Sequence, residues 1–314
     1  MSAAHRAVAR APAGQPVREH VTALPAPGLR PLIAHYSGYR DAGQPPGRHR
    51  GLPSPYLTVI FTLDEPLEVA RHPDPGQAGG QFGTLAGGLH TAPALITHDG
   101  RQSGIQVALS PLGARTILGL PAGELASLDV EGSAVLGSLA EQVQDKIRAA
   151  RSWAERFAAV DELLWARACA SPAMTRGGAA DLARGRGPGV SPEVGCAWRR
   201  LMRTGGQTTV AQLAAETGWS DRHLRSRFQA ETGLSPKAAA RVIRFERARR
   251  LLMRRAQAGT RPALAELAAE CGYYDQAHLD REFRGLAGCP PTTWLAEEYS
   301  GSQPVSPRPL PEPG

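Results

Sequence analysis

Residues 213–228 read Leu-Ala-Ala-Glu-Thr-Gly-Trp-Ser-Asp-Arg-His-Leu-Arg-Ser-Arg-Phe, and residues 267–283 read Leu-Ala-Ala-Glu-Cys-Gly-Tyr-Tyr-Asp-Gln-Ala-His-Leu-Asp-Arg-Glu-Phe. The second stretch repeats the first with one additional residue in its middle. In each copy a glycine can adopt positive φ and end a short helix, and Ser220 or Asp275 can cap the helix that follows. This order predicts two helix-turn-helix units.

The second helix of each copy separates into an inner and an outer face at about 100° per residue. Leu224 and Phe228 fall on the inner face of the first copy, and Leu279 and Phe283 on that of the second. In the first copy the outward residues are Arg222, Ser226 and Gln229, and His223 and Arg225 flank them. In the second copy the outward residues are Ala277, Arg281 and Arg284, and Gln276 and Asp280 lie at the margin. Arginines on such a face can form bidentate hydrogen bonds with guanine in the major groove of DNA.

A long helix connects the two copies. Ser235 and Pro236 predict its N-cap and first residue, and the pattern runs over residues 236–255, about 30 Å of helix. Two recognition helices held this far apart can enter successive major grooves, which recur about every 34 Å. Residues 191–300 contain 17 arginines and lysines against 12 acidic residues, so most of the chain's net charge of +7 lies where DNA is expected.

Residues 192–298 resemble the DNA-binding domain of the AraC/XylS family of bacterial transcription regulators. The matching segments are Val210–Phe228, Gly233–Pro236, Arg244–Leu252, Ala265–Phe283 and Gly288–Pro291. The resemblance covers about a third of the chain. A match to two units with this connecting helix is far more specific for the family than a match to a single helix-turn-helix.

The resemblance implies a set of DNA contacts. The base-contacting positions are Arg222, Arg225 and Ser226 in the first unit and Gln276, Ala277, Asp280 and Arg281 in the second. We expect phosphate contacts from Arg227, Lys237, Arg241, Arg244 and Arg284.

Two residues depart from the family pattern. Tyr274 stands where the family usually has a small capping residue, which leaves Asp275 as the predicted cap. Asp280 can accept a hydrogen bond from a cytosine amino group but is repelled by phosphates. The second helix is therefore expected either to read bases or to hold only the DNA backbone.

The N-terminal part predicts a different kind of domain. Strand patterns cover residues 56–63, 67–71, 81–86, 94–97 and 104–109, and helical patterns cover 112–118, 135–150 and 153–168. The fold class is α+β: a β-rich, barrel-like domain with trailing helices over 25–169, followed by an all-α domain over 192–298. The remaining segments are a tail over 1–24, a linker over 170–191 and a tail over 299–314.

Gly104–Arg115 and Ile117–Leu125 resemble a domain of unknown function that often precedes this DNA-binding module in actinobacterial regulators. In the wider family the corresponding β-rich domain binds an effector or mediates dimerisation. The helical patterns over 135–150 and 153–168 fit either a dimer contact or packing on their own sheet. The partners implied are double-stranded DNA, RNA polymerase, a small-molecule effector and a second copy of the chain.

The sequence offers little for catalysis, and we expect no catalytic residue, metal or cofactor. His72, His90 and His98 lack the closely spaced carboxylates of a β-barrel metal site, and Gly79–Gly83 lacks the Lys-Ser/Thr of a phosphate loop. A methyl-accepting repair protein would need nucleophilic cysteines, and the first 168 residues contain none. Cys196, Cys271 and Cys289 fit small core residues.

No run approaches the roughly 18–20 apolar residues of a membrane span, and the N-terminus lacks the apolar stretch of a secretory signal. We therefore expect a cytoplasmic, sequence-specific transcription regulator. Two alternatives stay open: an enzyme tethered to DNA through its C-terminal domain, and a weakly specific architectural DNA binder.

Overall fold

The computed structural model describes residues 16–175, 178, 181, 188–259 and 263–300. Its N-terminal part contains the strands β1 (Val17–Ala23), β2 (Ile33–Ala42), β3 (Gly47–Gly51), β4 (Leu57–Thr62), β5 (Leu67–Arg71), β6 (Gly80–Phe82), β7 (Thr84–Gly87), β8 (Ala94–His98), β9 (Gln102–Leu109) and β10 (Asp129–Glu131). They form a six-stranded antiparallel sheet, in the order β1-β2-β9-β4-β7-β10, and a four-stranded one, in the order β3-β8-β5-β6.

The two sheets pack face to face through a small apolar cluster. Ile60 and Leu85 from the larger sheet meet Leu67 and Val69 from the smaller one. Residues on the other side of β4, such as Phe61, join the main core. β4 is apolar on both sides because both of its faces are covered, which is why its pattern predicts a strand so strongly.

The first strand corrects a prediction. The sequence favoured a tail over residues 1–24, whereas Val17–Ala23 pair with β2 in a continuous antiparallel register. An edge strand is paired on one side only and carries polar residues on its exposed positions, so its hydrophobic pattern is weak. Residues 1–15 of the predicted tail lie outside the described residues.

The strands are followed by helices α1 (Ala114–Ile117), α2 (Ser133–Leu136), α3 (Leu139–Ala149), α4 (Trp153–Ala170) and α5 (Pro172–Thr175). The helix predicted over 135–150 is interrupted at Gly137, whose φ is 59°. Phe157 of α4 stacks on Tyr36 of β2 with ring centroids 6.0 Å apart, and the Tyr36 hydroxyl donates to Asp161 at 2.8 Å. The apolar stripe of α4 is thus covered by the protein's own sheet.

The C-terminal part is helical. Its helices are α6 (Pro192–Arg203), α7 (Val210–Thr217), α8 (Asp221–Thr232), α9 (Pro236–Gln257), α10 (Leu264–Glu270), α11 (Gln276–Ala287) and α12 (Pro291–Ser300). The connecting helix α9 begins as predicted, with the Ser235 side chain accepting from the Ala238 amide. Phe283 of α11 packs against Phe245 of α9 at 4.8 Å. The predicted α+β class, with a β-rich domain before an all-helical one, is confirmed.

The two domains share one continuous apolar core and several polar contacts. Arg115 of α1 forms an ion pair with Glu231 of α8, and Arg50 of β3 forms one with Glu297 of α12. Within the described residues, no helix is both long and apolar enough to cross a membrane.

Two half-buried histidines, His35 and His49, lie in the N-terminal domain. Burial lowers the pKa of His35 to about 4, with the positive charge of Arg250 adding to the decrease and Glu246 opposing it. Burial, together with His98, also lowers the pKa of His49 to about 4. Both imidazoles are therefore neutral in the folded protein at neutral pH.

These histidines predict acid lability. The unfolded chain binds protons at His35 and His49 below about pH 6.5, whereas the folded chain does not until about pH 4, so stability falls as the pH is lowered through this window. We expect the unfolding temperature to decrease from pH 7 to pH 5, and the decrease to be smaller in His35→Gln and His49→Gln. The exposed His223 provides the control. If its Gln variant flattens the pH dependence as much as theirs, burial is not the cause.

Candidate nucleic-acid interface

The first helix-turn-helix unit consists of α7 and α8. Thr209 and Gln212 form a reciprocal capping box at the start of α7, and Gly218 ends that helix at φ 71°. The Ser220 side chain then accepts from the His223 amide at 3.3 Å and caps α8, as predicted. Trp219, within the turn, is half-buried and meets the edge of His223 at 4.6 Å, which fits a packing role.

The second unit, α10 and α11, repeats this geometry. Gly272 has φ 74° after α10, and Asp275 accepts from the His278 amide at 2.7 Å. The prediction that Asp275 rather than Tyr274 caps this helix is confirmed. Tyr274 instead projects into solvent with 93% of its surface exposed.

The predicted inner faces are buried in both units. Leu224, Phe228, Leu279 and Phe283 each have 0% relative exposure. Their burial fixes the rotation of α8 and α11, because a helix presents its opposite face once one face is packed.

The outer face of α8 carries its predicted side chains into solvent. Arg222, Arg225 and Ser226 are exposed, and none of them has a side-chain hydrogen bond or ion pair within the described part of the chain. Two guanidinium groups and a hydroxyl are thus available on one surface. Such groups can form bidentate contacts with guanine or bind phosphates.

The outer face of α11 is less basic. Gln276, Ala277 and Arg281 are exposed as predicted. Asp280 is half-buried, and its Oδ1 atom is enclosed without a hydrogen-bond partner in the described residues. Asp280 therefore presents less of its carboxylate to DNA than a fully exposed acid would.

The five residues expected at phosphates divide into two groups. Arg227, Lys237 and Arg284 are exposed. Arg241 instead donates to Glu282 at 2.7 Å, and Arg244 donates to the Gly206 carbonyl at 2.8 Å.

Arg244 also lies over the Tyr273 ring, 5.5 Å from its centroid. This cation–π contact joins α9 to the turn of the second unit. Because its guanidinium is engaged by Gly206 and Tyr273, Arg244 holds the connecting helix to the turn before α7 and to the second unit.

The histidines considered for a metal site are engaged separately. His72 Nδ1 lies 2.6 Å from Asp129, His90 Nδ1 lies 2.6 Å from the Ala92 carbonyl, and His98 accepts from the Gly100 amide. Across the described ranges, no group of three or more potential ligands is arranged for a metal ion. Of the cysteines, Cys271 is fully buried, and its burial raises the thiol pKa to about 11.

Sequence reasoning missed the contacts that link the units to the N-terminal domain. Glu231 at the end of α8 binds Arg115, which lies 116 residues earlier in the chain. No local pattern signals such a pair, because the two residues are far apart in the sequence.

Comparison with protein families identifies both domains. Residues 196–297 match the family described as helix-turn-helix domain, and residues 21–131 match a domain of unknown function, DUF6597. The C-terminal domain is an AraC-type helix-turn-helix domain. A chain with this AraC-type domain is a DNA-binding transcription regulator, as the sequence predicted.

Similar solved structures include ToxT from Vibrio cholerae, at 10% identity over 83% of this chain and 97% of that chain, with a TM-score of 0.46. The C-terminal domain of AraT, a response regulator from Geobacillus stearothermophilus, matches at 23% identity over 35% of this chain and 88% of that chain, with a TM-score of 0.31. The AraC-like transcriptional activator CuxR matches at 15% identity over 78% and 97%, with a TM-score of 0.31. No curated protein shows significant sequence similarity.

Proposed function

We propose that the protein regulates transcription by inserting α8 and α11 into successive major grooves of one DNA site. The observation that carries this proposal is the exposed face of α8. Arg222, Arg225 and Ser226 stand on it without internal partners in the described residues, opposite the buried Leu224 and Phe228. Bidentate arginine contacts to guanine then supply specificity.

The second helix contributes less to base recognition. Gln276, Ala277 and Arg281 face the groove, whereas Asp280 stands at its margin with one carboxylate oxygen enclosed. Arg227, Lys237 and Arg284, which are exposed, hold phosphates. Arg241 and Arg244 act at phosphates only if they exchange internal contacts for external ones.

The N-terminal domain is proposed to bind a small effector or a second copy of the chain. Tyr36 and Gly38 of β2 face the helix α4, so the alternating residues His35, Ser37 and Tyr39 lie on the other side of the strand. Tyr39 borders the smaller sheet, whereas His35 lies against Tyr56 and near Arg250 of α9. These polar side chains are only half-buried. Partly accessible polar groups on this side of β2 support a ligand-binding role for this domain.

A selection of genomic DNA fragments with the purified full-length protein tests the proposal. Enrichment of one site with two elements about a helical turn apart is the expected result. Enrichment of a single element would restrict α11 to the DNA backbone. Equal affinity for enriched and random duplexes would favour an architectural binder and contradict the proposed function.

Removal of a single arginine from α8 should weaken specific binding. We expect Arg222→Ala and Arg225→Ala each to cost about 1–3 kcal/mol on the enriched duplex and to relax base preference at one position. Fluorescence anisotropy on matched and base-substituted duplexes measures both effects.

The matched control is Arg151→Ala, which removes an exposed positive charge from the N-terminal domain. It should change affinity only slightly and leave base preference intact. If both α8 variants distinguish matched from base-substituted duplexes as well as the wild type does, these arginines do not contact bases.

A further inference from the structure

The two ends of α8 have opposite environments. Its first two turns expose Arg222 and Arg225, whereas its last turn is enclosed, with Glu231 at 9% and Thr232 at 0% relative exposure. Much of this enclosure comes from the N-terminal domain. The segment 111–127, which leads from β9 through α1 to a short turn, lies against the end of α8.

One contact is an ion pair across the two domains. Arg115 Nε donates to Glu231 Oε1 at 2.7 Å, and Arg115 Nη2 donates to Glu231 Oε2 at 2.9 Å. The hydrogen bonds to Glu231 raise the pKa of Arg115. A bidentate pair of this kind fixes direction as well as distance, because the planar guanidinium matches both carboxylate oxygens.

The second contact is a close approach of backbone to backbone. A Cβ atom placed on Gly123 would lie 2.1 Å from the Ala230 carbonyl oxygen. Only glycine fits here, so the turn at Ala122–Leu125 rests directly on the last carbonyl groups of α8. A Cβ on Gly233, just beyond the helix, would in turn meet Ala122 and Ala126 of this turn at 3.3 Å.

The second unit is held differently. Glu282 of α11 also pairs with an arginine, but its partner Arg241 belongs to the connecting helix of the same domain. A Cβ on Gly288, at the end of α11, would come no closer than 3.7 Å to Pro93 of the N-terminal domain, an ordinary contact. Among the described residues, the end of α8 is therefore in closer contact with the N-terminal domain than the end of α11 is.

Helix geometry shows how far this anchoring reaches. Arg222 lies nine residues before Glu231, about 14 Å along the axis at 1.5 Å per residue. A tilt of about 10° at the anchored end moves the reading end by about 2 Å. Hydrogen bonds tolerate a spread of only about 0.5 Å in length. A small change at the anchor is thus enough to break contacts with bases.

We propose that Arg115 and Gly123 are positioning residues for DNA recognition: they hold the end of α8 so that the first unit reads its half of the site. This inference rests on the proposed function. Through these two residues the N-terminal domain contributes to the specificity for one DNA element, although this domain does not cover the face of α8 that reads bases.

The test uses full-length protein and the duplex that the wild-type chain enriches from genomic DNA, with each element scrambled in turn. The element whose discrimination falls in Arg222→Ala is assigned to α8. Discrimination of an element is the ratio of the affinities for the intact duplex and for the duplex with that element scrambled. In Glu231→Gln and Gly123→Ala we expect this ratio to fall about tenfold for the α8 element and to stay within about twofold of the wild-type value for the other element. Glu282→Gln should produce the reverse pattern, because its ion pair orients α11.

Two controls separate positioning from loss of fold. Arg50→Ala breaks another ion pair between the domains, to α12, and should alter neither element selectively. Hydrogen–deuterium exchange on the free protein should show faster exchange over 221–232 in Glu231→Gln, with 276–287 unchanged. Arg115→Lys keeps the charge but not the bidentate geometry, and should restore part of the discrimination lost in Arg115→Ala.

Unchanged discrimination in Glu231→Gln, or an equal loss on both elements, overturns the proposal while leaving DNA reading intact. A wild-type chain that enriches no duplex overturns the proposed function and this inference with it. The two failures are therefore distinguishable.

Discussion

Leu224→Asp should unfold the first helix-turn-helix unit. Leu224 has no exposed surface, and the residues around it belong to the apolar core that continues into the N-terminal domain. An unpaired carboxylate in this position costs several kcal/mol, comparable with the 5–15 kcal/mol of total stability of an ordinary domain. We expect loss of the cooperative thermal transition or a decrease of more than about 10 °C in its midpoint, with loss of helical circular dichroism.

Ser226→Asp provides the matched control, since it adds the same charge to the exposed face of the same helix. Its free energy of unfolding should stay within about 0.5 kcal/mol of the wild-type value, while its DNA binding is lost through repulsion of phosphates. Normal unfolding of Leu224→Asp would show that the faces of α8 are inverted. Equal destabilisation by both substitutions would show that charge alone is responsible.

The C-terminal domain could be predicted from sequence in detail because its signals are local. Glycine at positive φ, a capping residue two or three positions later and leucine and phenylalanine four residues apart all lie within one unit. The helix start at Ser235 and the cap at Asp275 follow from side-chain chemistry that depends only on near neighbours.

The N-terminal domain was predicted less completely, for physical reasons. β1 and β3 lie at the edges of their sheets, and β3 reads Gly-Arg-His-Arg-Gly, which has no apolar alternation. β2 contains apolar residues on the side that meets α4, but His35 and Tyr39 on the other side face a polar region. A strand with one polar inner side does not give the pattern typical of a buried strand.

Roles set by long-range contacts were not predictable at all. Arg244 is expected at a phosphate, and in the structure the Gly206 carbonyl and the Tyr273 ring engage it. No sequence pattern marks Glu231, yet it joins two domains through Arg115. In each case the deciding neighbour is at least 29 residues away, so only the tertiary structure brings it into contact.

Glu246 should be the largest single electrostatic contributor to stability among the ion pairs of the connecting helix. Its side chain is 7% exposed and accepts from Arg249 Nε at 2.8 Å and Arg250 Nε at 2.5 Å. Burial by itself raises the pKa of Glu246, but the two guanidinium groups outweigh it and lower the pKa to about 2. We expect Glu246→Ala to cost about 3 kcal/mol at pH 7, because two neighbouring cations lose their shared partner.

The contacts of Glu246 with Arg249 and Arg250 also predict how the stability of the protein changes with pH. The unfolded glutamate takes up a proton near its ordinary pKa of 4.5 and the folded one only near 2, so the stabilisation is present above pH 4.5 and is lost as the pH falls toward 2. Urea unfolding at pH 7 and pH 3 should therefore show the difference between wild type and Glu246→Ala shrinking at the lower pH. Glu270→Ala breaks the exposed pair with Arg255 and should cost under about 1 kcal/mol at pH 7. A cost for Glu246→Ala no larger than for Glu270→Ala would mean that the arginines beside Glu246 are fully solvated, and that burial adds nothing to their attraction.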